Sequence, residues 1–381
     1  MDFTRLQDAS LTKSTASERK LLTTSRRFKS TKMSLEFNII YTPGTVKYLS
    51  FFVWSLLKWS DCSFRLVSNG CLPAERRYLQ NLCRQDERLA FWSIPTKSSL
   101  PHGQVLNYLQ AMSRSDYFCF MDSDIFATGD FLAGITPNLA SHTGVFSGTP
   151  IWVKEEEEVM PHAFRHMVGT FNRTDRGVCL GSTYVALYDN HALTELMQST
   201  GIGFEEYRWH EIPEEVQEPL MSLGLDKDLY DTGKVLNLLL LSQGAELLYL
   251  DSPALCHIGG TSFQVGYDNQ PQSIKGRIIN RLMNSKIGSP LKAVRQRRTM
   301  ASYQKRYQDA PEAEYHLNVR QRRQHRDPVR QYFLRLLNAL FQHAPVPHPP
   351  VTGEEEIDRK LLEAKKQLIL LFAEYRDKLE A

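Results

Sequence analysis

The sequence predicts an α/β protein with a mostly parallel central sheet flanked by helices and a helical, basic C-terminal extension. Three observations predict it. From Phe37 onward, short apolar runs alternate with helical patterns, the rhythm of strands joined by crossover helices. The runs close on turn residues such as Pro43–Gly44 and Asn69–Gly70. Beyond about residue 275 the text turns basic, and it ends in one apolar stripe at helical spacing.

The elements follow in order. FNIIYT (37–42) is a buried strand stopped by Pro43–Gly44, and Val46 to Trp59 carries apolar residues at helical spacing. FRLVSNG (64–70) is a second strand, AERRYLQNLCRQ (74–85) an amphipathic helix and LAFWSIP (89–95) a third strand. A helix over 103–113 leads to a fourth strand, DYFCFMD (116–122). Strand and helix in that alternation make a Rossmann-like half-sheet, whose ligands sit outside the carboxyl ends of the strands. The second part is less regular. GVFSGTPIW (144–152) and GVCLGSTYVALYD (177–189) read as strands, the latter leading into a helix over 192–200. Residues 201–225, rich in Glu and Pro, read as loop. A helix from about Thr232 to Ser242, the strand AELLYL and a loop from Asp251 to Phe263 follow, with His257 in a Gly-rich turn.

The organisation this implies is a disordered extension (1–34), a catalytic domain (35–275), a basic helical extension (276–343), a Pro-rich linker (344–353) and an amphipathic helix (354–381). In the last helix Ile357, Leu361, Ala364, Leu368, Leu371 and Tyr375 form one stripe, suited to docking on the domain or on a second copy as a homodimer. Translation from either Met1 or Met33 is compatible with the text.

Lys and Arg number 46 against 43 acids, a net charge of +3 that is too balanced for a nucleic-acid partner. Six scattered cysteines with no CxxC pair exclude a cysteine metal site and give no disulfide framework, so a reducing compartment is expected. No signal-like stretch precedes Phe37, and no run approaches the roughly 18–20 apolar residues of a membrane span. A cytoplasmic protein is expected. The basic run over 292–330 is either a solvated face or a peripheral contact with an anionic membrane surface.

The most informative string is DYFCFMDSDIFATGDF. An Asp-x-Asp triplet alone is weak, and Asp226–Lys227–Asp228 is a second one in the same chain. Asp122–Ser123–Asp124 differs by standing at the end of an apolar strand, where the backbone enters the ligand crevice. Two carboxylates there repel each other, and Mn²⁺ or Mg²⁺ with hard oxygen ligands is the natural counter-ion. The competing reading is a turn-and-cap pair. Asp231 precedes a helix as either an N-cap or a general base for an acceptor hydroxyl. His257 is either a loop histidine or a third ligand, and Gly259 and Gly260 would let the backbone approach a diphosphate closely.

This order of parts resembles the GT-A glycosyltransferases, over residues 36–265. The stretch from Asp231 to His257 is most similar to the inverting family that includes chitin and cellulose synthases, with Tyr230–Asp231 where that family has Glu–Asp. The resemblance implies a nucleotide-diphosphate sugar donor, UDP- or GDP-linked. It implies that Asp124 ligates the metal, that Asp122 binds the ribose or a metal-bound water, and that His257 completes the metal shell with Asp231 as base. Thr42, Pro43 and Asn69 fall where such enzymes hold the nucleobase. Gly181 and Ser182 fall on their acceptor-side strand. The acceptor would be a glycan, a lipid or a small molecule. A retaining glycosyltransferase, a catalytically silent scaffold and a sugar-phosphate nucleotidyltransferase are the alternatives. The last usually opens with a Gly-rich basic loop, whereas YTPGTVKYLS has one Gly and one Lys.

Overall fold

The computed structural model describes residues 35–96, 98–261, 317 and 324–380. The expected N-terminal extension, the alternative start at Met33, residues 262–275 and most of the basic segment lie outside the described residues.

Strands β1 (Glu36–Tyr41), β2 (Ser63–Ser68), β3 (Leu89–Ser93) and β4 (Tyr117–Met121) form where the apolar runs predict them. Helical turns at Val46–Leu49 (α1) and Val53–Lys58 (α2) join β1 to β2, with a 3-10 turn between them. Pro73–Cys83 (α3) joins β2 to β3, and His102–Met112 (α4) joins β3 to β4. After β5 (Ile125–Ala127) and β6 (Gly144–Ser147) come three two-residue strands, β7 (Val159–Met160), β8 (Met167–Val168) and β9 (Arg173–Thr174), then β10 (Val185–Asp189). Asn190–Thr200 (α5), β11 (Tyr207–Arg208), Glu214–Ser222 (α6), β12 (Leu229–Tyr230) and Lys234–Ser242 (α7) follow. β13 (Leu247–Tyr249), β14 (Leu255–His257) and the helices α8 (Asp327–Phe341) and α9 (Glu355–Glu380) complete the described chain.

The main sheet has seven strands in the order β13-β6-β10-β4-β1-β2-β3. Only β10 runs antiparallel to its neighbours, so the sheet is mostly parallel, as the sequence predicts. β2 and β3 lie on one side of β1 and β4 on the other, which puts the switch in strand order between β1 and β4. Sheets of this kind open a crevice at the carboxyl ends of the strands there. Asp122 leaves β4 at that point, and Thr42 leaves β1 beside it.

The helices α8 and α9 pack on each other and on the core beside α1 and α2. Phe341 of α8 lies 4.9 Å from Phe372 of α9 and 5.8 Å from Phe51, and Phe51 and Phe372 are 5.7 Å apart. The predicted stripe Ile357, Leu361, Ala364 and Leu368 is buried in the chain's own core. The apolar face that the sequence offers to a homodimer is therefore used within the chain. Leu361 is 0% exposed. Leu361→Ala is expected to cost about 2–5 kcal/mol, read as a lower urea midpoint at unchanged slope.

Three expectations need correction. Residues 201–225 are not all loop, because Val216 and Leu220 bury one face of α6 at a four-residue spacing despite Pro219 within it. The strand expected over 177–189 is extended only from Val185, since Gly177 (φ 81°) and Gly181 (φ 58°) take left-handed backbone. His257 is not in a turn but ends β14, which pairs antiparallel with β5 so that His257 lies opposite Ile125. All six cysteines are free thiols. Among the described residues, no helix is long and apolar enough to cross a membrane.

Candidate metal and donor site

The pairing of β14 with β5 brings a histidine 133 residues downstream onto the Asp-x-Asp turn. His257 Nε2 lies 3.3 Å from Asp124 Oδ1 and 3.5 Å from Asp122 Oδ2. One ligand atom from each of the three residues falls within 4.8 Å of the others, the one such group among the described residues. Two ligands about 2.1 Å from a small divalent ion stand at most about 4.2 Å apart, so these separations fit Mg²⁺ or Mn²⁺. The second triplet separates from the first here. Asp228 pairs with His166 at 2.7 Å and Asp226 lies 4.0 Å from Lys227, so neither joins a ligand group.

Each ligand is held in place by backbone. His257 Nδ1 donates to the Gly148 carbonyl at 2.6 Å, which fixes the tautomer and points Nε2 at the carboxylates. Asp124 is 0% exposed, and its Oδ2 accepts from the Thr261 N–H at 2.8 Å. The Asp124 carbonyl accepts from Ile258 N–H, and Asp122 N–H donates to the Tyr184 carbonyl. Asp122 is partly open, and Ser123 between the two is buried. Burial alone would pull the His257 pKa down. The hydrogen bonds with Asp122 and Asp124 outweigh it and hold the imidazole up to about 10. A divalent cation entering this cluster displaces that proton.

The Tyr184 ring packs on the His257 imidazole, centroid to centroid 4.8 Å. Burial, then the charges of Asp231, Asp122, Asp124 and Glu158, raise its phenol well above the ordinary tyrosine value. Asp231 is thus within electrostatic range of the same phenol as the metal cluster. Its carboxylate is exposed and accepts from Thr232 N–H at 2.8 Å, while Gly233 occupies the N-cap position of α7. The N-cap reading of Asp231 is set aside, because the cap is a residue without a side chain.

Asn69 is spoken for. Its amide bonds both backbone groups of Leu100 at 2.9 Å, so the side chain pins the 98–101 loop. Thr42 and Pro43 begin a turn closed by Thr45, whose hydroxyl donates to the Thr42 carbonyl at 2.7 Å. Gly181 and Ser182 lie in the loop before β10, where Ser182 is 2% exposed and its Oγ has no partner within the described protein. Gly259 is required for packing. At φ 79°, a Cβ there would meet Pro150 Cβ and Trp152 Nε1 at 2.6 Å. A Cβ on Gly260 would meet only the flexible Arg330 side chain, at 3.3 Å.

Sequence reasoning missed Lys234. The ammonium is buried at the start of α7 and donates to the Phe171 carbonyl at 2.6 Å and to that of Gly181. It ties the Gly181 loop to the turn that presents Asp231. A lysine opening the apolar run VLNLLLL was its signal. Burial pushes its pKa from 10.5 down to about 8. Between those values the unfolded chain binds more protons, so this group makes stability rise with pH from about 8 to about 10.5. Lys234→Met is expected to flatten that rise in urea titrations across the window.

Neither a protein-family model nor a curated protein matches the chain. Solved structures similar to it include an active-site mutant of LgtC, at 9% identity over 64% of this chain and 99% of that one, TM-score 0.37. A mannosyltransferase from Pyrobaculum calidifontis, in complex with GDP-Man and Mn²⁺, is 11% identical over 90% and 83%, TM-score 0.38. A glucose-1-phosphate thymidylyltransferase candidate from Bacillus anthracis, in complex with sucrose, is 12% identical over 63% and 97%, TM-score 0.37. At such scores the likeness assigns no activity, and the functional reading rests on the site itself.

Proposed function

We propose that the chain is a metal-dependent glycosyltransferase of the GT-A type that moves a sugar from a nucleotide-diphosphate donor to an acceptor hydroxyl. One observation carries this reading: Asp122, Asp124 and His257 converge at the carboxyl edge of a mostly parallel sheet, at its switch in strand order. Such crevices take nucleotides, and this ligand set suits the ion that accompanies a diphosphate. Residues 35–275 form the catalytic unit in this reading.

Asp124 and His257, fixed by backbone bonds, would hold Mn²⁺ or Mg²⁺, with Asp122 at the open side toward the ribose or a bound water. Such a cation would offset the charge that grows on the departing diphosphate. The bond from the anomeric carbon to the diphosphate breaks through an oxocarbenium-like state as the acceptor oxygen bonds to that carbon. Asp231 is exposed beside the site and takes the acceptor proton, giving inversion. The Tyr184 phenol spans the two halves. The nucleotidyltransferase reading is less well supported, because the loop after β1 closes on itself through Thr45 and has few donors for a triphosphate.

The test is release of nucleotide from a panel of UDP-, GDP- and dTDP-sugars with Mn²⁺, Mg²⁺ or EDTA. Metal-dependent release from one donor is expected. Release from none, with no nucleotide binding by calorimetry, leaves a catalytically silent scaffold.

A further inference from the structure

A second recess lies on the same edge of the sheet. The turn after β13, the start of β14, the 154–158 segment and the polar side of α9 enclose a cavity of about 580 Å³. That is within the range of small-molecule sites, roughly 300–1,000 Å³. The glycosyltransfer mechanism uses none of its lining residues.

The lining is mixed in sign, with acids in excess and Lys360 paired with Glu356 at 2.6 Å. Five carboxylates, Glu158 and Asp251 among them, face three cations: Arg173, Arg359 and Lys360. A bare anion meets the carboxylates and a bare cation meets the guanidinium groups. A neutral polyol suits both, because each hydroxyl donates to a carboxylate and accepts from an arginine. The rest of the lining mixes polar residues, Thr128, Ser252 and Gln367 among them, with Ile151, Leu250, Pro253 and Tyr249, whose apolar atoms offer a surface for the C–H face of a sugar ring.

The recess is also connected to the candidate active site. Thr149 lines it and bonds the Tyr249 hydroxyl, while the preceding residue, Gly148, holds His257 in position. Glu158, 5% exposed, acts on the Tyr184 phenol together with Asp231, Asp122 and Asp124, and on Tyr249. Desolvation in the recess raises the carboxyls of both Glu158 and Asp251, for Glu158 against the hydrogen bonds of Thr149 and Asn172.

We propose that this recess is a carbohydrate subsite that holds the remote sugar residues of an oligosaccharide acceptor, with α9 as one wall. The acceptor role rests on the glycosyltransferase reading; the sugar binding does not. The assignment favours a glycan over a lipid or a small molecule as acceptor, and it gives α9 a role besides packing.

The test is saturation-transfer NMR on the full chain without donor, using neutral tetrasaccharides of the β-1,4-glucan, α-1,4-glucan, β-1,4-galactan and α-1,6-mannan series, with spermidine as the cationic probe. One tetrasaccharide is expected to bind. Glu158→Gln and Arg359→Ala should each weaken it about tenfold or more, the loss of a charged hydrogen bond. Arg359 is exposed, so its replacement leaves the core intact. Binding of spermidine and of no tetrasaccharide overturns the proposal, as does tetrasaccharide binding that neither recess variant weakens. Donor hydrolysis without any tetrasaccharide binding removes the subsite and keeps the enzyme. Tetrasaccharide binding without hydrolysis of any donor keeps the subsite and removes the enzyme.

Discussion

Asp124→Ala is expected to abolish metal-dependent donor turnover and to weaken Mn²⁺ binding by at least about 100-fold, more than the loss of an outer-shell partner. Asp124 is fully buried, lies 3.3 Å from His257 Nε2 and is tied through Thr261 to the segment after β14. Removing it leaves a histidine and one half-open carboxylate, too few oxygen ligands for a hard cation. Some loss of stability is expected as well, since Thr261 N–H loses its acceptor. A urea curve measured in EDTA separates the two effects, because a folded variant that no longer binds Mn²⁺ isolates the role of the ligand. Full Mn²⁺ affinity in Asp124→Ala would rule out this cluster as the metal site.

Asp231→Asn is expected to lower transfer about 10²–10⁴-fold, the usual contribution of a general base, while leaving metal and donor binding close to the parent. The carboxylate is exposed and accepts from Thr232 N–H, a bond that the asparagine carbonyl can accept equally well. A change confined to the rate is therefore the expected signature. Loss of donor binding in this variant would contradict the division of roles. Undiminished transfer would assign the proton to another group and favour a retaining route.

Much of this was legible in the sequence, for physical reasons. β1, β2 and β4 are largely buried on both faces and appear as apolar runs, while the edge strand β3 still shows as LAFWS, and a turn or a helix closes each one. Asp122 and Asp124 stood out because they follow such a run, whereas Asp226 and Asp228 do not. His257 was marked as a ligand, but its strand was missed. β14 and β5 have three residues each, too few for a period to show. α6 was hidden by the Glu and Pro of EEVQEPLMS, although Val216 and Leu220 sit one helical turn apart. Asn69 and Gly259 each carry a structural duty that the sequence does not display: the backbone that one holds and the side chains that the other must clear. Tyr184 and Glu158 gain meaning only from tertiary packing, since nothing local sets them apart from other residues of their type.

The most direct test of the central claim is a calorimetric titration of Mn²⁺ into the full chain, alone and with UDP or GDP present, for the parent and for His257→Ala. One Mn²⁺ per chain, bound more tightly when one of the two nucleotides is present and lost in His257→Ala, is the predicted result. Nucleotide binding that is indifferent to EDTA and to His257→Ala would contradict it.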